Sequence, residues 1–231
     1  VSEVIDSGKR GEHFFSDFFA WTRRNDSRTM RPTMVGTQQA SSPLRLPLSC
    51  ESALLERFLK AEAMALWAVR ASQLQDVPAN VHTFLRRHEA DERRHLAQFE
   101  MLLGHRSYER ERLPSVPRQW PALAVQLFGY EALGLEFALL LAEVRPDLSS
   151  ILDDERRHVG FFEREIGKIL SADRAMAVQA KTSARAWWHK LPRTLDRYLS
   201  DPVFEPFRPA LISGILTSIQ RQLIQLGLLE M

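Results

Sequence analysis

Apolar residues fall on a helical period from Ser52 onward. Leu55, Phe58, Leu59, Glu62, Ala65, Leu66 and Val69 share one stripe while Glu56, Lys60 and Arg70 lie off it, which predicts a helix ending near the turn-forming segment QDVPAN at 75–80. A second stripe, Leu85, Glu92, His95, Phe99 and Leu102, predicts a helix over about 78–103 with Gly104 as its stop. The polar segment SYERERLPSVPRQWP then leads to a third helix at roughly 119–144, which is apolar nearly all round and therefore expected to be buried. After the turn RPDLSS, a fourth helix at roughly 148–170 carries Leu148, Ile151, Leu152, Glu155, His158, Phe162 and Ile166 on one side. The segments AMAVQAKTSARAWWHK and PALISGILTSIQRQLIQLGLL read as two further amphipathic helices. Upstream, EHFFSDFFAWTRR at 12–24 reads as a short helix with an aromatic face, and 25–49 as loop. No alternating strand pattern of useful length occurs, so the expected fold class is all-α. The expected organisation is an N-terminal extension over 1–50, a helical bundle over 51–171 and C-terminal helices over 172–231 packed on it.

Three of these stripes are interrupted by charge in a repeated way. DERRHLAQFEMLLG, starting at Asp91, nearly returns as DERRHVGFFEREIG, starting at Asp154. Residues three apart on a helix lie about 60° apart around its axis, so Glu92 points with His95, and Glu155 with His158. An uncompensated buried carboxylate costs several kcal/mol, and a divalent or trivalent cation is one partner that removes the cost. Glu62 is the one carboxylate on the first apolar stripe. The third helix offers Glu131 and Glu136. EAMALWAV from Glu62 matches EALGLEFAL from Glu131 in its opening residues, which puts Glu131 ahead as the internal counterpart of Glu62; Glu136 stays a rival because it too has apolar neighbours. His88, one turn before Glu92, reads first as a hydrogen-bonded core histidine, with an extra ligand as the alternative. Arg93, Arg94, Arg156 and Arg157 read as surface or salt-bridging residues, and Trp67, Trp187, Trp188 and Tyr130 as packing.

Glu62, Glu92, His95, Glu131, Glu155 and His158 reproduce the ligand set of di-iron carboxylate bundles, one Glu from each of two helices and a Glu-x-x-His from each of the other two. Four carboxylates and two imidazoles suit two Fe ions, or Mn in their place. On these residues, about 52–170 resembles the ferritin-like di-iron superfamily. That superfamily includes bacterioferritins, rubrerythrins, bacterial multicomponent monooxygenases, ribonucleotide reductase small subunits and a tRNA-modifying hydroxylase. The resemblance implies a ferritin-like four-helix bundle in which each motif Asp orients the metal-binding His of the other half, Asp91 for His158 and Asp154 for His95.

The implied activity is that of an oxygen-dependent di-iron oxidase or monooxygenase, with molecular oxygen, a small organic or nucleoside-like substrate and an external electron donor as partners. A ferroxidase or iron-handling protein and a rubrerythrin-like peroxidase are the alternatives. The 231 residues suit one sizeable domain, and 26% charged with 45% hydrophobic residues is ordinary globular composition. The single cysteine, Cys50, excludes an internal disulfide and a Cys-rich metal site, including an attached rubredoxin-like module, and points to a reducing cytoplasm. A net charge of +2 allows nucleic acid without indicating it, although the first thirty residues are locally basic. Glu131 and Glu136 interrupt the most apolar segment, 122–142, so a buried helix is expected there and no membrane span. The N-terminus lacks a secretory pattern, and a monomer or homodimer is expected.

Overall fold

The computed structural model describes residues 46–107 and 113–230, all within one compact unit, Arg45–Met231. The helix expected at 12–24 and most of the loop at 25–49 lie outside the described residues. The described residues form six α-helices and no strand: α1 Glu51–Ser72, α2 Ala79–Leu103, α3 Trp120–Val144, α4 Ser149–Ala172, α5 Arg174–Tyr198 and α6 Arg208–Gln225. Short 3-10 turns at Leu48–Cys50, Pro146–Leu148 and Pro202–Phe204 lead into α1, α4 and the connection to α6.

Local chemistry sets several boundaries. Gly104 ends α2 in the left-handed region at φ 71°, a conformation that costs glycine nothing. Its counterpart in the repeat behaves differently: Gly167 lies inside α4, which runs on to Ala172 because Ile166 and Ile169 keep the apolar stripe against the core. Asp173 caps α5, its carboxylate accepting from Ala175 N at 2.5 Å. That helix continues beyond the segment expected from sequence, through Pro192 to Tyr198. Proline removes one helical hydrogen bond. The burial of Leu191, Thr194, Leu195 and Tyr198 on the core side holds the chain helical past it.

The helices pack in a definite order. α1 lies against α2 and α3, α4 against α2 and α3, α5 against α3 and α4, and α6 against α5 and α3. The mutual packing of α1 to α4 is compatible with a four-helix bundle. Phe58 and Phe99 stack between α1 and α2 with ring centroids 5.2 Å apart, and Phe84 stacks on Phe161 between α2 and α4 at 3.6 Å. Phe99 and Phe162 each follow a motif histidine by four residues, and both are fully buried. α3 is the one helix among the described residues long and apolar enough to cross a membrane, with a mean hydropathy of 1.4; more than half of that window is buried inside the protein.

α5 reaches α3 at Gly129. A Cβ there would meet the Trp187 indole well inside van der Waals contact, so only glycine lets the indole lie on the α3 backbone. Trp187 is itself buried and its ring cannot fold away like a flexible chain. Overpacking of this kind typically costs about 1–3 kcal/mol. Gly129→Ala is expected to destabilise the protein by that amount in chemical denaturation, with helix content retained; an unchanged midpoint would show that the indole does not sit against α3.

Candidate metal centre

Glu62 on α1, Glu92 and His95 on α2, Glu131 on α3, and Glu155 and His158 on α4 are each no more than 4% exposed. They meet in two overlapping groups. Glu62, Glu92, His95 and Glu155 form one, and Glu92, Glu131, His158 and His88 form the other; the donor atoms of each group lie within 4.8 Å of one another, an arrangement that can hold a metal ion. Glu92 belongs to both. The structure therefore brings the six sequence-predicted side chains together and adds His88. Of the two candidates on α3, Glu131 enters the cluster, while Glu136 turns to α6, where its Oε1 accepts from Ser218 Oγ at 2.5 Å. Glu165, another buried carboxylate on α4, stands outside both groups and has ordinary partners in Asn80 and Lys168.

The two motif histidines are held from behind. His95 Nε2 lies 3.0 Å from Asp154 Oδ2, and His158 Nε2 lies 3.3 Å from Asp91 Oδ2. An ionised carboxylate only accepts, so Nε2 carries the hydrogen and Nδ1 of the neutral ring turns a lone pair inward. His95 Nδ1 then stands 3.4 Å from Glu62 Oε2, and His158 Nδ1 stands 3.3 Å from Glu131 Oε2. Both Nδ1 atoms, together with Glu62 Oε2 and Glu92 Oε2, are buried without a hydrogen-bond partner. With neutral rings and ionised carboxylates, these inward lone pairs and oxygens face one another with no donor between them. A cation could supply what is missing.

The orienting aspartates are themselves clamped. Arg94 Nη2 donates to Asp91 Oδ1 at 2.7 Å and to Asp154 Oδ2 at 2.6 Å. Arg157 Nη2 donates to Asp154 Oδ1 at 2.5 Å and to Asp91 Oδ2 at 3.3 Å. Each guanidinium thus bridges both aspartates across the α2 and α4 interface. Burial pushes the Asp91 and Asp154 carboxyls up, but the arginines and the histidines behind them outweigh it and hold both below the usual range.

Inside, the balance goes the other way. Burial, and then the repulsion of neighbouring carboxylates, raises Glu92 and Glu155 well above the ordinary Glu value. Burial would raise Glu131 too, yet His88 and His158 hold it well below that value. For His95, burial opposes the charged form, but Glu62 and Asp154 outweigh it and raise its pKa. Without metal, protons therefore take the places that a cation would fill. Space is arranged as tightly as charge: the Cβ that Gly134 lacks would lie 2.8 Å from Glu155 Oε2, so glycine on α3 makes room for that carboxylate.

His88 is the member that sequence reasoning ranked otherwise. The signal was its position four residues before Glu92, on the face that carries the first motif. No protein-family model matches the chain, and no curated protein or solved structure matches it either.

Two outcomes are expected. Metal has to displace the protons held by Glu92 and Glu155, so affinity for Fe(II) or Co(II) rises with pH through their raised values, and uptake releases protons. Calorimetry in buffers of different ionisation enthalpy measures that release, and a pH-independent affinity would contradict the assignment. Glu92→Ala removes the carboxylate common to both groups and is expected to abolish binding of the second metal; a variant that retains two ions per chain by elemental analysis would show that Glu92 is not a ligand.

Proposed function

We propose that this protein is a non-haem di-iron oxidoreductase of the ferritin-like kind, in which Mn can stand in for Fe, and that it uses dioxygen to oxidise a small organic or nucleoside-like substrate. The observation that carries the reading is the pair of buried donor groups joined at Glu92, with unpartnered lone pairs of His95 and His158 facing into them. That donor set is the one di-iron carboxylate bundles use, and mixed carboxylate and imidazole donors suit Fe and Mn. Two reduced iron ions, when bound, supply electrons for the reduction of dioxygen.

The chain's own residues do the rest. Glu62 and His95 would hold one ion and Glu131 and His158 the other, with Glu92 shared and Glu155 completing the set. Asp91 and Asp154 keep the two imidazoles in one tautomer and one orientation. Phe84 lies edge-on to His158, and Phe99 and Phe162 are fully buried one turn beyond the motif histidines, so the surroundings are apolar and exclude water. Gly134 has no side chain over Glu155, which leaves room on α3 for that carboxylate. Electrons for repeated turnover come from an external donor.

Metal-free protein loaded with Fe(II) under argon and then exposed to oxygen tests the reading. It is expected to take up two irons per chain, to consume oxygen faster than the same iron in buffer, and to retain the oxidised iron. Continued iron uptake with mineral growth would instead favour iron storage. Oxygen consumption no faster than that of free iron would remove the oxidase reading.

A further inference from the structure

His88 enters the site without the support given to the other two histidines. It is fully buried, and its Nε2 stands 2.8 Å from Glu92 Oε1 and 3.3 Å from Glu131 Oε2. Its ring lies beside that of His158, with centroids 3.8 Å apart. Nε2 is therefore one of four donor atoms, with those of Glu92, Glu131 and His158, that surround a single position. Its other nitrogen, Nδ1, is buried with no hydrogen-bond partner, whereas His95 and His158 each have an aspartate behind the ring.

Two roles compete for such a residue. A structural histidine in a core normally satisfies both nitrogens. Here the only satisfied nitrogen faces two carboxylates of the candidate metal site, and among the described residues the ring has packing from Phe84 and Phe162 but no hydrogen bond on its far side. Ligation would move the hydrogen from Nε2 to the unpartnered Nδ1, giving up the Nε2–H bond to Glu92 in exchange for the bond to the metal. That exchange turns a lone pair on Nε2 toward the site.

Building on the dinuclear reading above, we propose that His88 is a third imidazole ligand, which makes the two metal positions chemically unequal. Glu92, Glu131, His158 and His88 give one position two nitrogens and two carboxylates. Glu62, Glu92, Glu155 and His95 give the other one nitrogen and three carboxylates. Nitrogen donors favour Fe, Co and Zn, whereas oxygen-rich sites accept Mn more readily. The His88 position thus discriminates more strongly against Mn than its neighbour does, and a centre offered both metals fills as an ordered mixed pair.

Calorimetric titration of the metal-free full chain tests this, with Co(II) as an oxygen-stable probe and Mn(II) as the comparison. Wild-type protein is expected to bind each metal in two steps, one of which prefers Co(II) over Mn(II) more strongly than the other. Loss of an outer hydrogen-bonding partner alone typically costs about 10–100-fold in metal affinity, so His88→Ala is expected to weaken that step at least about tenfold and to spare the other. His88→Gln, whose amide can still donate to Glu92 but binds metal poorly, is expected to show the same loss, and circular dichroism confirms that either variant stays helical. Unchanged titrations, equal weakening of both steps, or recovery in His88→Gln would each overturn the proposal, the last by showing that a hydrogen bond suffices. Those results leave the dinuclear reading in place; wild-type protein that binds no metal removes both.

Discussion

Four carboxylates share one buried space between α1, α2, α3 and α4, and their mutual repulsion is the constraint that the surrounding structure answers. Two such charges about 4 Å apart repel by about 4 kcal/mol even at an effective dielectric near 20, and burial adds the loss of hydration to that. Burial and mutual repulsion raise Glu92 and Glu155 toward their protonated forms, and imidazoles stand beside Glu131. Such an arrangement is expensive to hold in a core. A hydrophobic cluster of the same volume would be at least as stable, so folding alone gives no reason for these carboxylates.

The clamp behind the histidines explains why one pentapeptide occurs twice. Within each copy the Asp reaches the histidine of the other copy, and the second Arg reaches the aspartates of both. The first Arg acts only locally, since Arg93 pairs with Glu89 on its own helix and Arg156 with Asp153. Four of the five residues in the motif therefore act across the α2 and α4 interface or into the site. A helix pair that must present two imidazoles in mirrored orientation needs the same residues at the same offsets on both sides, which is a stronger demand than a solvated charged face makes.

Much of this was legible in the sequence, for identifiable reasons. Glu62, Glu92, His95, Glu155 and His158 stood out because each is a polar residue on an apolar stripe, where packing gives no reason for it. The choice of Glu131 over Glu136 was open on periodicity and turned on the internal match with Glu62; what draws Glu136 away is Ser218, more than eighty residues further along the chain. His88 was harder to read because an isolated histidine near a core has an ordinary explanation, and only the third dimension shows which of its nitrogens lacks a partner. Gly167 repeats the position of Gly104, but the expected helix already ran past it to about 170, and it continues there because apolar residues beyond it are buried. The helix expected over AMAVQAKTSARAWWHK runs on through Pro192, because residues beyond it are buried. The Arg94 and Arg157 bridges span about sixty residues of chain or more, a separation at which sequence spacing carries no signal.

The close approach of Gly134 to Glu155 couples the choice of residue at two positions on different helices. A methyl group at 134 would stand 2.8 Å from a carboxylate oxygen of 155, closer than contact allows. A carboxylate is the end of a flexible side chain, so such a change leaves the helices intact and disturbs the ligand alone. Room for alanine at 134 comes most directly from a shorter acid, aspartate, at 155. A chain that keeps the long acid at 155 then has two choices, the bare backbone opposite it or a carboxylate swung away from the place it now holds.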